Sequence, residues 1–233
     1  MIIKSYELNK IDINKKKLFL LYGHNEGLKN EVTKKYFVDK FKGNIFRYDE
    51  KEVIDNNSDF FDGILSRSFF EEKKLFIISR ATDKLNSIIE EILEKEINDV
   101  VILLNASILD KKSKIRKLFE KNKDVICIPV YEDNSQTLSG IARDFFRINK
   151  ISISQETINL LIDRSRGDRG NLINELDKIE SYIKTHKNIS SEEIIKLTDL
   201  AENYNVSELL DNCLSKNSKK TINILNENKQ FFI

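Results

Sequence analysis

The sequence predicts an α/β domain built on a parallel sheet, followed by an all-helical half. Two observations support this fold class. Up to about residue 130, short and continuously apolar runs alternate with amphipathic stretches of helix length. Such runs are typical of strands buried on both faces of a parallel sheet. From residue 136 onward the helical periodicity continues without any strand-like run, so we expect the boundary between residues 131 and 140.

The expected elements follow from these patterns and their flanking residues. Strands are predicted at residues 17–22, 44–48, 75–79, 100–104 and 125–130. The helices between them are predicted at 27–41, 58–66, 84–95 and 112–121, with Ser58 and Asp83 as N-caps. The later helices are predicted at 136–149, 154–165, 170–185, 190–200, 205–216 and from 218 onward. Ser154 and Ser190 begin two of them in the manner of a capping box.

Three parts are expected: an α/β domain at 1–135, a small helical domain at 136–203, and the start of a further helical domain at 204–233. The last residues, 230–233, stop inside an apolar helix pattern without a C-cap glycine. This ending predicts that the natural protein continues beyond the chain.

Composition excludes several classes of protein. The chain has 233 residues, 40% of them hydrophobic and 33% charged, with a formal net charge of +1. A disordered chain is therefore not expected, and no global field would draw the protein to DNA or a membrane. Cys127 and Cys213 lack metal-ligand spacing and are predicted to be buried thiols in a reducing compartment. Without a signal peptide or a long apolar run, a cytoplasmic protein with no membrane contact is predicted.

A phosphate-binding loop is only partly present after the first strand. The motif G-x-x-x-x-G-K-[ST] lies between a strand and a helix, and here Gly23 and Lys29 fit it. Leu28 stands at the second glycine, and Asn30 replaces the hydroxyl that would hold Mg²⁺. Glu26 adds a negative charge beside the phosphate position. We expect an inherited architecture that does not hydrolyse ATP; the simpler alternative is an ordinary strand-to-helix turn.

Other catalytic elements are missing as well. The strand at 100–104 is followed by Asn105-Ala106-Ser107, whereas a nucleotide hydrolase would place Mg²⁺-binding acids there. The only histidines are His24 and His186, and no metalloprotease or serine-hydrolase motif occurs. The sequence predicts no catalytic residue, no cofactor and no metal.

An adjacent aromatic pair, Phe69 and Phe70, follows the helix predicted at 58–66 and is bounded by charges. Two neighbouring side chains cannot face one core, since they diverge in a helix and in a strand. One interpretation is an exposed anchor for a partner, worth roughly 3 to 6 kcal/mol before ordering costs. The alternative is that both rings pack beneath the first helix of the domain.

Two basic stretches could contact phosphates. Lys111, Lys112, Lys114 and Arg116 lie in a basic stretch at the start of the helix predicted at 112–121. They could contact DNA or another subunit. The alternative is a solvated helix face, which the residues alone favour. Arg166 or Arg169 could sense a phosphate at a helix start, but their surroundings favour a turn between two helices, ended by Gly167.

The order and spacing of four segments resemble the delta subunit of bacterial DNA polymerase III, the clamp-loader subunit that opens the sliding clamp. These segments are LFLLYGHNE at 18–26, SFFEEKKL at 68–75, ILDKKSK at 108–114 and GDRGNLINELDKI at 167–179. The resemblance implies an AAA+-like α/β domain, a helical lid domain and a C-terminal helical collar, of which only the first helices are present. It also implies a protein that does not hydrolyse ATP.

The resemblance further implies partners. An adjacent hydrophobic pair in this family enters a pocket on the clamp, and Phe69 and Phe70 match that position. The expected partners are the beta sliding clamp, the gamma/tau and delta prime subunits through the collar, and primed DNA in the assembled complex. Two rival hypotheses are an active AAA+ or P-loop NTPase and a non-catalytic DNA-binding regulator.

Overall fold

The computed structural model describes residues 1–13, 16–66, 73–95, 97, 99–186, 189–198 and 206–227. The chain divides into two compact units, Met1–Asp133 and Asn134–Ile233. The first unit contains the sheet and the second is helical. The finer limits at residues 135 and 203 stay predictions.

Five described strands form one sheet in the first unit. Their bounds are Leu18–Gly23 (β1), Gly43–Asp49 (β2), Lys73–Ser79 (β3), Val100–Ala106 (β4) and Ile126–Val130 (β5). The order is β2-β3-β4-β1-β5, and every neighbouring pair is parallel. The predicted parallel sheet is thus confirmed. Since the chain leaves β1 for the far edge at β2, the strand order reverses beside β1, the place where such sheets bind ligands.

The sheet is covered on both faces because alternate residues of each strand point to opposite sides. Leu18 and Leu20 pack in one cluster with residues of the helices between β2 and β5, such as Phe60 and Ile89. Their neighbour Phe19 packs in a second cluster on the opposite face. Helices on both faces explain why most of the strands are apolar throughout.

The edge strand β2 departs from the prediction. Most residues of β1, β3, β4 and β5 are buried. All residues of β2 are exposed or half-buried. The expectation that all five strands are buried on both faces is therefore wrong for β2. Its sequence places the polar residues Asn44 and Arg47 among apolar ones, whereas the buried strands β1 and β5 have almost no polar side chains.

The first unit has five α-helices among its described residues. They are Glu26–Val32 (α1), Glu50–Asp55 (α2), Asn57–Leu65 (α3), Asn86–Glu94 (α4) and Lys114–Lys121 (α5). The helix predicted at 27–41 continues from α1 as a π-helix, Thr33–Val38. Helix α2 was not predicted, although Asp49 and Glu52 form a capping box at its start, a signal that the sequence offered.

Both predicted N-caps of this unit are wrong. Helix α3 begins before Ser58, with Asn56 at the N-cap position. Thr82, not Asp83, caps the short 3₁₀ helix Asp83–Leu85. Asp83 instead accepts hydrogen bonds from Ser113 Oγ (2.5 Å) and the Ile115 backbone N–H (3.1 Å). A carboxylate at the start of α5 is favoured by the helix dipole.

The regular elements among the described residues of the second unit are all helices. Its helices are Ser135–Ile148 (α6), Gln155–Arg164 (α7), Arg169–Ile183 (α8), Ser191–Leu197 (α9), Val206–Leu214 (α10) and Ser218–Glu227 (α11). Apolar residues of α6 to α9 form one core, and α10 packs on α11. The expected caps Ser154 and Ser190 are confirmed, each accepting a backbone hydrogen bond from the helix that it begins.

The two cysteines differ in burial. Cys127 lies in β5, where burial raises the pKa of its thiol to about 12. Cys213 is exposed on α10, so the prediction that both thiols are buried is wrong for this residue. Leu210 and Leu214 of the same helix are also exposed. Helix α10 therefore presents apolar side chains to solvent.

Across the described ranges, no helix has both the length and the apolar composition that a membrane crossing requires. Over the same residues, no group of three or more histidine, cysteine, aspartate or glutamate side chains is placed to hold a metal ion.

Candidate functional site

The turn after β1 lies at the carboxyl edge of the sheet, where the partial phosphate-loop motif was found. Gly23 ends the strand with φ +142°, and its N–H donates to the carbonyl of Ser107 (3.1 Å). A Cβ placed on Gly23 would lie 1.9 Å from the carbonyl oxygen of Val130. The close approach of β1 to β5 therefore requires a glycine at this position, whether or not a phosphate binds.

Helix α1 begins almost at once after this turn, so only His24 and Asn25 separate it from β1. The Asn25 side chain accepts a hydrogen bond from the Leu28 N–H (2.9 Å), and its amide donates to Asp133 Oδ2 (2.6 Å). A helix N-terminus can bind a phosphate when its N–H groups point at the ligand. Here the Leu28 N–H is already bonded to the N-cap side chain, and the Asp133 carboxylate lies next to that side chain. Both features disfavour a phosphate at this helix start.

Lys29, at the position of the phosphate-binding lysine, is turned into the protein. The residue is only 4% exposed. Its ammonium donates to the carbonyl of Ala106 at the end of β4 (2.8 Å) and to Glu26 Oε1 (2.6 Å). A triphosphate would have to displace the Glu26 carboxylate to use this charge. The side chain thus ties α1 to the central strands of the sheet.

The remaining positions of the motif serve other purposes. Leu28 is half-buried and packs against the core cluster on its face of the sheet. Asn30 is exposed on α1. On the neighbouring strand, the side-chain oxygen of Asn105 is buried and has no hydrogen-bond partner among the residues that the structure describes. Packing against the core thus accounts for the leucine that stands at the second glycine position of the motif.

A cavity of about 390 Å³ opens beside the turn, lined among others by Tyr22, His24 and Arg116. The Arg116 guanidinium lies 5.1 Å from the Tyr22 ring centroid, and it donates to Glu120 Oε1 (2.8 Å) and to the carbonyl of Leu109 (2.8 Å). Burial raises the pKa of Tyr22 to about 12. Arg116 is thereby engaged within the α/β unit.

The lysines predicted as DNA or subunit contacts are placed differently from Arg116. Lys111, Lys112 and Lys114 are exposed. Lys114 also lines a surface groove of about 490 Å³ between α4 and α5, which it shares with Lys117 and Lys121. Three lysines on one groove are compatible with binding of an anionic partner. They are equally compatible with the alternative interpretation, a solvated helix face.

Phe69 and Phe70 lie outside the described residues, but both flanks of their segment are described. Helix α3 ends at Leu65, followed by Ser66, and β3 begins at Lys73. Next to that start, Lys74 is buried, and its ammonium reaches back to the end of α3. Lys74 was not among the residues predicted for a site. The only signal was alternation, since two successive lysines at a strand start point to opposite faces.

The turn between α7 and α8 agrees with the alternative interpretation of Arg166, in which the residue belongs to a connection between two helices. Arg166 and Gly167 both have positive φ, 54° and 70°. Asp168 caps α8 by accepting from the Asn171 N–H (2.8 Å). A left-handed glycine that ends one helix before a capped start of the next is a common connection. A phosphate-sensing role of Arg166 or Arg169 stays a prediction.

No protein-family model matches the chain, and neither does any curated protein sequence. Solved structures with the same fold do match. The Bacillus subtilis DNA clamp loader delta protein shares 18% identity, over 98% of this chain and 71% of that one, with a TM-score of 0.59. A Thermotoga maritima RuvB variant shares 15% over 92% and 74%, with a TM-score of 0.56.

A further structure of Thermotoga maritima RuvB, described as a Holliday junction branch migration motor, matches at 14% identity over 91% and 72% of the two chains, with a TM-score of 0.54. At such identities the likeness shows the fold alone. The chain therefore has an AAA+-like fold, with a parallel five-stranded sheet flanked by helices and a helical part after it.

Proposed function

We propose that this chain is a clamp-loader subunit of the replicative DNA polymerase III holoenzyme, which binds and opens the sliding clamp and does not itself hydrolyse ATP. One observation carries the proposal. In an AAA+-like fold, the lysine of the phosphate loop is buried and donates to Glu26 and Ala106. That arrangement favours a subunit without ATPase activity over a motor. The clamp as target rests on the resemblance of the sequence and on the fold shared with a clamp loader delta protein.

The proposed clamp contact is the adjacent pair Phe69 and Phe70. Burying two phenylalanine side chains in a pocket would supply roughly 3 to 6 kcal/mol before ordering costs. This is enough to dominate a modest interface. The flanks support such a role, because Ser66 and Lys73 are held in the fold at either end of the segment.

Opening of the clamp would follow from a difference in affinity. A ligand shifts a conformational equilibrium only by the difference between its affinities for the two states. If the pair binds the open ring more tightly than the closed one, binding itself favours opening. ATP bound to the partner subunits would then control when the pair is exposed.

Assembly with gamma/tau and delta prime is proposed through the residues from 204 onward. Leu210 and Leu214 on α10 are 54% and 80% exposed. They lie four residues apart, on one face of the helix, as an interface with another helix requires. Contact with primed DNA in the assembled complex is proposed for Lys111, Lys112 and Lys114, which are exposed. The cytoplasmic location is likewise proposed.

The test is capture of the sliding clamp of the same organism by the immobilised chain. Wild type is expected to retain the clamp, and Phe69→Ala with Phe70→Ala is expected to lose it while its thermal unfolding changes little. Phe46→Ala is a matched control, because Phe46 is 36% exposed on β2. A double variant that unfolds at much lower temperature would instead support rings packed in the core.

The active NTPase hypothesis makes a different prediction for the same protein. Steady turnover of ATP by the isolated chain, abolished by Lys29→Met, would establish that hypothesis. We expect no turnover above the rate of a blank without protein. A steep salt dependence of DNA affinity without any clamp would favour the DNA-binding regulator.

A further inference from the structure

The groove of about 490 Å³ between helices α4 and α5 has one basic wall. Lys114, Lys117 and Lys121 of α5 line this wall, and all three side chains are exposed. Residues three and four apart are neighbours on a helix surface. The three ammonium groups therefore follow one side of the groove from the start of α5 to its end.

The positive charge of this wall is not neutralised from within α5. The single carboxylate of the helix, Glu120, binds Nε of Arg116 (2.8 Å). Among the residues that the structure describes, no carboxylate lies within 4.0 Å of the three lysine ammonium groups. The protein has a net charge of only +1, but this surface has a local positive field that attracts an anionic partner.

The opposite wall, formed by α4, has a different chemistry. Asn86 and Glu90 line it, about one helical turn apart. Glu90 is exposed, and an ionised carboxylate accepts hydrogen bonds but cannot donate them. A ligand that fills the groove must therefore present anionic groups to the α5 wall and hydrogen-bond donors to the α4 wall.

The groove also has an apolar element among its lysines. Leu118 lines it, four residues after Lys114 and three before Lys121. Its side chain is half-buried and packs against the core with the part that is covered. The uncovered part favours a ligand with an apolar side chain between its anionic groups.

An extended acidic peptide meets all three requirements, whereas DNA meets only the first. The DNA backbone presents phosphate oxygens, which offer no donor to Glu90 and are repelled by its charge. An extended peptide presents N–H groups as well as carboxylates. Side chains on one face of such a peptide repeat about every 6.7 Å, close to the rise of about 6 Å from Lys117 to Lys121 along the helix axis.

We propose that the groove between α4 and α5 binds an extended acidic segment of a partner protein. The carboxylates of this segment pair with Lys114, Lys117 and Lys121, and an apolar side chain between them packs on Leu118. Backbone N–H groups of the segment donate to Glu90. This interaction goes beyond the proposed function and does not depend on binding of a clamp.

The test uses a short fluorescein-labelled peptide, Gly-Asp-Glu-Leu-Asp-Glu-Gly, whose Kd for the full chain is measured by fluorescence anisotropy. In the extended form, one face of this probe carries an apolar side chain between two acids. A second probe has asparagine in place of leucine. A labelled single-stranded oligodeoxynucleotide of similar net charge serves as the nucleic-acid probe.

Two triple variants remove the same amount of charge from different faces of the sheet. The groove variant combines Lys114→Gln, Lys117→Gln and Lys121→Gln. The matched control combines Lys34→Gln, Lys35→Gln and Lys40→Gln, three exposed lysines in and after the π-helix, which packs on the other face. Both variants should unfold close to the wild-type temperature, because all six side chains are exposed.

We expect the Kd of the leucine probe to rise about tenfold for the groove variant, since three exposed ion pairs are lost together, and to change less than about twofold for the control. For wild type, the asparagine probe should bind about threefold more weakly than the leucine probe. These results together would support the groove as the binding site.

Other outcomes would overturn the proposal. Equal losses in the two triple variants would mean unspecific attraction to lysines. Equal affinities for the leucine and asparagine probes would mean that the apolar element of the groove takes no part. Binding of the oligonucleotide that depends on the groove lysines, without binding of the acidic peptide, would assign the surface to nucleic acid. Absence of peptide binding to wild type would exclude the site.

Discussion

Lys29 and Lys74 are both buried lysines whose ammonium groups join a helix to a strand of the sheet, but they differ in their partners. Lys29 donates to a carboxylate, Glu26, and to one backbone carbonyl. Lys74 donates to the oxygens of two residues at the end of α3. The first lysine occupies a position that a motor would use for phosphate, and here it stabilises the fold. The second joins the start of β3 to the end of α3.

The largest expected effect is on the backbone of the turn that precedes Lys29. Gly23→Ala would place a Cβ 1.9 Å from the Val130 carbonyl oxygen at φ +142°. We expect the free energy of unfolding to fall by about 3 kcal/mol or more, from strain and overpacking together. Urea unfolding followed by circular dichroism measures this change.

The control for that change is Gly140→Ala in the interior of α6, where an added Cβ meets nothing within 4 Å. Alanine there should stabilise the protein by about 0.5 to 1 kcal/mol, because glycine is a poor helix former. A Gly23→Ala variant as stable as wild type would show that β1 and β5 can separate at little cost.

The next effect compares the two lysines directly. Lys29→Met should lower the free energy of unfolding by about 1 to 3 kcal/mol, because it leaves the Ala106 carbonyl without its buried donor. Lys74→Met should lower it by about 1 kcal/mol, because its acceptors Gly63 and Ser66 are half-buried and exposed. We expect the larger loss for Lys29→Met, since it frees α1 from the central strand β4. Hydrogen exchange should show protection lost across β1 and β4 for Lys29→Met, and mainly at the end of α3 for Lys74→Met. The reverse pattern would contradict the comparison.

The smallest effect is expected at the carboxylate partner of Lys29. The Glu26 side chain is 66% exposed, and exposed ion pairs contribute about 0 to 1 kcal/mol. Glu26→Gln should therefore change the unfolding midpoint in urea only slightly, while Lys29 keeps its bond to Ala106. The variant should also fail to bind ATP in an equilibrium dialysis experiment. ATP binding gained by this single change would mean that Glu26 alone blocks the loop.

Much of the fold could be predicted because most of the strands are continuous apolar runs in the sequence. The five runs, their parallel pairing and the change to helices near residue 133 follow from periodicity. The edge position of β2 was missed, because strand order depends on contacts between distant segments. Helix α2 was missed although Asp49 and Glu52 offered a capping box. The burial of Cys213 was predicted wrongly, since a short helix gives no sign of which apolar residues the chain leaves uncovered.

For the candidate site, the sequence predicted which residues occupy the motif positions but not which contacts they make. The motif positions Gly23, Lys29 and Asn30 could be read from the sequence, but not the reason for each. The hydrogen bond from Lys29 to Ala106 joins residues 77 positions apart. No local pattern encodes that contact, and the same holds for the contact of Arg116 with Tyr22.

The most direct test of the proposed function is the affinity of this chain for the clamp in two states, measured without nucleotide. One sample is the closed ring, and the other is a clamp variant held as a monomer by substitutions at its subunit interface. We expect binding to both, tighter for the monomer, because only a difference in affinity can open the ring. Equal affinities would contradict clamp opening by this chain, and no binding to either would contradict its role as a clamp-loader subunit.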